Sequence, residues 1–249
     1  MIKIDFSWLA LVTLLGALLG WWCTGLARRY AHLLLSAADY VDGDRLLARA
    51  VALSSIEFTH KSDAGLAPAR ASPWLALGSS GLMAGFVFIF YGRYGQSLPF
   101  LIVVWALAIL LILAIVDAKT SLLPDALTFP LLWLGLALAW LGGQVSLHSA
   151  VAGAMLGYGF LYTLFLLFKL IRKTDGMGYG DFKLLAALGA WVGELNVLYV
   201  LLMACLTGLL FALGHRKRLT FGTAYPFGPF LAASGVAVMA LAPEVHSYF

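Results

Sequence analysis

Two aspartates and one glycine-rich loop are the residues in this chain best suited to chemistry. Asp117 closes the apolar run Leu101 to Val116. Asp181 closes Gly176-Met177-Gly178-Tyr179-Gly180 and directly precedes a further apolar segment. Two carboxylates brought close cannot both ionise readily, so one keeps a proton. The ionised member can then activate water as a general base, while the protonated one donates to a carbonyl oxygen. Such a pair hydrolyses an amide with no metal and no nucleophilic Ser or Cys. It titrates as a unit, so sequence does not say which aspartate holds the proton.

Each residue also has a plainer reading. Asp117 can be a helix-end charge at a membrane interface, in contact with water. Asp181 can be an ordinary helix cap, or a carboxylate delivered to a neighbouring helix. The alternating glycines Gly176, Gly178 and Gly180 free the backbone to approach another element closely. Asp125 follows Pro124 and opens an apolar run, a good N-cap position, and is expected to be structural. Tyr225-Pro226-Phe227-Gly228-Pro229-Phe230 opens the last apolar run. It reads either as a helix start or as a backbone edge that holds an extended peptide.

Other chemistries find little support. The histidines (His32, His60, His148, His215, His246) show no zinc spacing, and no metal site is expected. The glycine loop lacks the Gly-Lys-Ser/Thr ending of a nucleotide site. Ser79 and Ser80 have no nearby base. Cys23 and Cys205, the only cysteines, lie in separate apolar stretches and read as small hydrophobes. Basic residues are not interleaved with aromatics on a soluble segment, so no nucleic-acid partner is expected.

These residues must be positioned inside a membrane. The 249 residues are 62% hydrophobic and 11% charged, with a mean hydropathy of +0.94, against about 25% charged in a soluble domain. So large an apolar excess cannot hide in a core of this size, and the lipid bilayer must take the remainder. Apolar runs near 6–26, 74–91, 98–116, 126–142, 150–171, 182–193, 195–213 and 225–243 suit a hydrocarbon layer of about 30 Å. The fold class is therefore all-α, a polytopic membrane protein of about eight transmembrane helices. The first run is read as a helix rather than a cleaved signal. The sixth is short and reaches only part of the way across, or begins within the loop before it. Gly153 and Gly157 lie four apart on the fifth, a spacing that permits close helix contact.

With an external N-terminus, fourteen of the sixteen Lys and Arg face the cytoplasm, and only Lys3 and Arg93 lie outside. Both termini are then periplasmic, and Asp117 and Asp181 share the cytoplasmic side. The chain divides into 1–73, a first helix with a cytoplasmic loop, and 74–249, which carries both aspartates. A short amphipathic helix is expected near 38–52. A proton- or ion-coupled transporter is the competing class, but neither internal repeats nor mid-membrane polar residues are evident.

Three segments resemble the prepilin leader peptidases of the GxGD aspartyl protease group, to which presenilin and the preflagellin peptidases are related. They are Asp117 to Asp125 continuing through Leu127-Thr128 and Leu131 to Gly135, then Gly176 to Leu184, then Pro226 to Phe230. The likeness covers about residues 73 to 235. It implies that Asp117 and Asp181 are the catalytic pair, with Asp125 outside the chemistry. Gly178, Gly180, Pro226, Gly228 and Pro229 would support the substrate. It implies type IV prepilins or pseudopilins as substrates, cut after a glycine at the cytoplasmic face of the bacterial inner membrane. Many relatives also methylate the new N-terminus with S-adenosylmethionine and carry two Cys-x-x-Cys pairs in the first loop. Residues 27–73 hold no cysteine, so that zinc site is absent here. The family's Gly-Ser-Phe-Leu-Asn stretch is not evident around Gly20 to Leu26, and Ala76 stands where relatives often place an acid.

Overall fold

A computed structural model describes residues 6–36, 73–173, 178–214 and 225–241. Among them are seven helices and no strand: α1 (Phe6–Ser36), α2 (Pro73–Tyr94), α3 (Leu98–Thr120), α4 (Asp125–Trp140), α5 (Leu147–Arg172), α6 (Tyr179–Gly214) and α7 (Gly228–Leu241). α1, α2, α3, α5 and α6 are long and apolar enough to cross a membrane, whereas α4 and α7 are shorter. The expected helix at 38–52 lies outside the described residues.

The chain forms two compact units, residues 1–120 and 121–249. In the first, α1 and α2 pack antiparallel through small residues. Gly16 lies on Val87, and Gly20 lies on Met83 and the Ser79 carbonyl. One turn on, the buried hydroxyls of Thr24 and Ser79 share a 2.6 Å hydrogen bond. The hydroxyl that does not donate across instead donates along its own helix, Thr24 to the Gly20 carbonyl or Ser79 to that of Ala76. Small residues let backbones approach where lipid supplies no hydrophobic drive, and hydroxyl pairs join helices in the same setting. α1 runs ten residues beyond its expected end at 26. Residues 27–36 contain neither Gly nor Pro, so nothing in the backbone stops the helix where its apolar run ends.

The second unit is built around the pairing of α5 with α6. Gly153 lies against the Gly189 carbonyl, and a Cβ on Gly157 would sit 2.7 Å from that of Leu185. Ser149 reaches the chain at Gly193, where Glu194 N donates to its Oγ at 3.4 Å. Numbering rises on α5 as it falls on α6, so the two run antiparallel, and the expected role of Gly153 and Gly157 in close contact is met.

α6 is two segments. Gly193 has φ 79 and ψ 174, outside any helix. In one continuous helix Leu185 and Val197 would be about 18 Å apart. Both nevertheless touch Gly157, the Val197 Cγ2 lying 3.2 Å from its would-be Cβ. The chain therefore folds back at Gly193, and the separate runs 182–193 and 195–213 correspond to the two segments.

α4 runs parallel to the first segment of α6. Leu123 and Asp125 meet Gly180 and Lys183 at one end. Further along, Gly135 lies on Trp191, whose indole donates to the Leu131 carbonyl at 2.9 Å. α7 packs on the same segment through Gly235 and Leu188, and its start meets the end of α6 through Phe230 and Phe211. One end of this unit thus gathers the starts of α4, α6 and α7 and the ends of α5 and α6.

Candidate active site

Asp117 stands on the last turn of α3 and is 4% exposed. The helix ends three residues on at Thr120, whose hydroxyl donates to the Val116 carbonyl. Ser121 then takes a left-handed φ of 52, the usual way a chain leaves a helix. Asp117 is thereby fixed by helical geometry, one turn before a sharp exit.

Asp181 stands in the first turn of α6 and is 9% exposed. Its N–H donates to the Gly178 carbonyl at 3.2 Å, closing the turn that starts the helix. A helix N-terminus is a favourable place for a carboxylate. Gly178 is exposed, and a side chain there would lie 3.9 Å from Asp181 Oδ2. Gly180 is different. A Cβ at this position would fall 2.7 Å from Leu123 Cβ, so glycine is needed for space. Gly180→Ala should lower stability by about 1 kcal/mol, read as a drop of a few degrees in the thermal midpoint. Gly176 lies outside the described residues.

Behind Asp181, the buried Phe182 ring is ringed by aromatics. Tyr158, Tyr162, Phe165 and Tyr179 lie with centroids 5.6 to 6.3 Å away. Tyr158, Tyr162 and Phe165 are spaced by four and three residues on α5, a helical stripe that was legible in the sequence. This cluster holds the start of α6 against α5 and so sets the direction from which Asp181 projects.

The capping expectation for Asp125 is not met. The N-cap is Pro124, with no side-chain capping bond, and Asp125 is the first helical residue. Its carboxylate instead accepts two 2.7 Å bonds from the Lys183 ammonium, two residues after Asp181. A partner 58 positions away outcompetes the local backbone. This pair is substantially exposed, and such pairs contribute about 1 kcal/mol or less. Asp125→Asn should therefore shift unfolding by about 1 kcal/mol at most, read by denaturant titration.

Pro226-Phe227-Gly228-Pro229-Phe230 is a helix start. Phe227 O accepts from Phe230 N and Leu231 N. Pro229 falls in the first turn of α7, where a missing N–H does no harm. The helix begins at Gly228 rather than at 225, because the chain at Tyr225 to Phe227 is non-helical. Gly228 is buried, and Pro226 and Pro229 are half-buried. Within the second unit Gly178, Gly180 and Asp181 form one local cluster, and the Pro226–Pro229 turn opens α7 at the same end. Asp117 belongs to the first unit. Among the described residues no group of three or more His, Cys, Asp or Glu is placed to hold a metal ion.

Residues 102–213, spanning both aspartates, match the model of the type IV leader peptidase family. This segment belongs to that family. Three curated relatives, each named prepilin leader peptidase/N-methyltransferase, show the degree of likeness. The one from Burkholderia pseudomallei (strain K96243) is 44% identical over 169 residues, covering 67% of this chain and 53% of that protein. The one from Dichelobacter nodosus is 49% identical over 126 residues, covering 51% and 43%. The one from Pseudomonas putida is 43% identical over 157 residues, covering 62% and 54%. The chain spans about half the length of the curated relatives it matches. No solved structure matches it.

Proposed function

We propose that this chain is a membrane aspartyl endopeptidase that removes the leader from type IV prepilins or pseudopilins, with Asp117 and Asp181 as its catalytic pair. The observation that carries the reading is the setting of the two acids inside the leader-peptidase segment. Each is buried within one turn of a helix end.

The chemistry follows from the pair. One aspartate, ionised, takes a proton from water as its oxygen attacks the scissile carbonyl carbon. The other, protonated, donates to the carbonyl oxygen. The tetrahedral intermediate collapses as the carbon–nitrogen bond breaks: the leaving amine takes a proton from the first aspartate, and the second takes one back from a diol hydroxyl as the carbonyl re-forms. Gly178, Gly180 and the Pro226-Gly228-Pro229 turn supply backbone beside which an extended substrate segment can lie. Eight membrane crossings follow if α4, both segments of α6 and α7 all span. Both termini are then periplasmic and the acids face the cytoplasm of the inner membrane, an orientation supported by the cluster of Lys169, Arg172, Lys173 and Lys183 at the Asp181 end of the second unit. The division at residue 73 would assign 74–249 to peptidase work.

The relatives' printed names carry a second activity, and we propose N-methylation of the new N-terminus as its counterpart here. S-adenosylmethionine would supply the methyl group. The described residues build no site that we assign to it, and no step is routed through it. Reconstitution with a full-length prepilin tests both halves. Leader release should appear only with the protein present, and added S-adenosylmethionine should raise the mass of the mature product by one methyl group. No leader release from an inserted, folded protein would sink the peptidase reading; an unshifted mass would sink methylation alone.

A further inference from the structure

Two tyrosines lie where a membrane helix seldom places them. Tyr158 and Tyr162 stand one turn apart on α5 and are 39% and 37% exposed. α5 meets the turn at Gly193 through Ser149 and carries Lys169 and Arg172 in its last turn. From Ser149 to Lys169 is about 30 Å, the thickness of a hydrocarbon layer. Tyr158 falls about 14 Å inside the first of these points, and Tyr162 about 10 Å inside the second. Tyrosine ordinarily sits at the membrane–water boundary, where its hydroxyl is wet.

Among the described residues neither hydroxyl has a hydrogen-bond partner. Their neighbour Thr163 shows the contrast, since its short side chain donates to the Gly159 carbonyl of its own helix at 2.7 Å. A phenol ring holds its oxygen too far from the helix axis for that. Nor do the rings swing towards water. They stack on each other with centroids 5.8 Å apart, and both meet the buried Phe182 ring edge-on, at 6.2 and 6.3 Å. Tyr199 differs: about 9 Å past the turn at Gly193, it leans back towards that boundary as helical side chains do. Acyl chains offer no donor or acceptor, so two fixed hydroxyls at the depth of Tyr158 and Tyr162 are matched by a polar group that another helix brings in.

The neighbour of this face says which helix. Gly157 lies on the Leu185 carbonyl. Tyr162 lies five residues from that contact on one helix and Asp181 four on the other, in the same direction, so the two share a depth. Phe182, which pins both rings, directly follows Asp181. A chain that reaches an acid at this depth must itself enter the bilayer, and the part of it in contact with lipid must be helical. Exposed Met155 and Val151 extend the tyrosine face away from Asp181 at spacings of three and four residues, which suits a helix laid along it.

We propose that Tyr158 and Tyr162 form the docking face for the substrate's own membrane helix, an apolar helix with a hydrogen-bonding side chain that meets the two hydroxyls. They are positioning residues, and the docking rests on the substrate class proposed above but not on the chemistry of the aspartates. Tyr158→Phe combined with Tyr162→Phe keeps both rings and removes both hydroxyls. With full-length prepilin in vesicles, this double variant should raise KM about tenfold, with kcat within about twofold and the thermal midpoint within a few degrees of wild type. Tyr199→Phe, the same change on the second segment of α6, should leave KM as it is. An unchanged KM in the double variant, or a loss in kcat alone, overturns the proposal. A photoreactive benzophenone side chain in place of Met155, in the Asp181→Asn protein so that prepilin persists uncut, should cross-link to prepilin. Cross-links only to lipid or to a second copy of this chain overturn the docking face. Absence of leader release by the wild type would instead sink the peptidase reading, and the cross-link alone would then decide the docking face.

Discussion

Asp181→Asn should lower leader release from a prepilin by about 10³-fold, and Asp117→Asn should do the same. Asparagine keeps the size of each side chain and removes its capacity to exchange a proton, so the loss should fall on kcat with little change in KM. On the proposed pairing, the double variant should be no worse than either single one. Additive losses, near 10⁶-fold, would mean two independent roles instead of a pair. The wild-type kcat/KM should be bell-shaped in pH, since one acid must be ionised and the other protonated, and each single variant should lose that shape. Both aspartates are buried, so each variant needs a thermal midpoint within a few degrees of wild type before its rate is read. Asp125→Asn is the internal control: the same substitution eight positions from Asp117, on a residue paired with Lys183 at the surface.

The largest effect on folding should come from Gly193→Ala. This position combines φ 79 and ψ 174 with a would-be Cβ 2.6 Å from Ser149 Oγ. A residue other than glycine pays strain in that region of backbone space and also displaces the hydroxyl that accepts from Glu194 N. The two terms together predict a loss of about 3 kcal/mol, read by denaturant unfolding in micelles or vesicles. Ser149→Ala relieves the steric half only. Combined with Gly193→Ala, it should recover part of the loss, whereas no recovery would place the whole effect in the torsion angles.

The helices were legible because membrane spans are written in composition, and a run of apolar residues is hard to read in any other way. The break in α6 was legible for the same reason, as a gap between two runs. The first helix was harder, since a hydropathy run ends at Leu26 while the helix, which needs only residues that tolerate it, continues to Ser36. Asp125 shows the limit from the other side. Its local signal for a cap was good, but the backbone placed Pro124 at the cap, and Lys183, far away in sequence, offered a stronger charge-assisted partner. Asp117 and Asp181 stood out as acids beside apolar runs. Their burial, by contrast, depends on packing that no local window contains. The contacts of Gly16 and Gly20 with α2 follow a small-residue spacing like that of Gly153 and Gly157, and were equally present in the sequence.

That α1–α2 contact bears on how the chain tolerates change. Gly16, Gly20, Thr24 and Ser79 join two helices separated in sequence by residues 37–72, and the pairing comes from the helices themselves. Closing a longer connection costs little, about 0.6 kcal/mol for each doubling of a flexible loop. The α1–α2 pairing should therefore tolerate a change in the length of the chain that joins the two helices. Grafting a longer insert at this point should leave the helical pair intact.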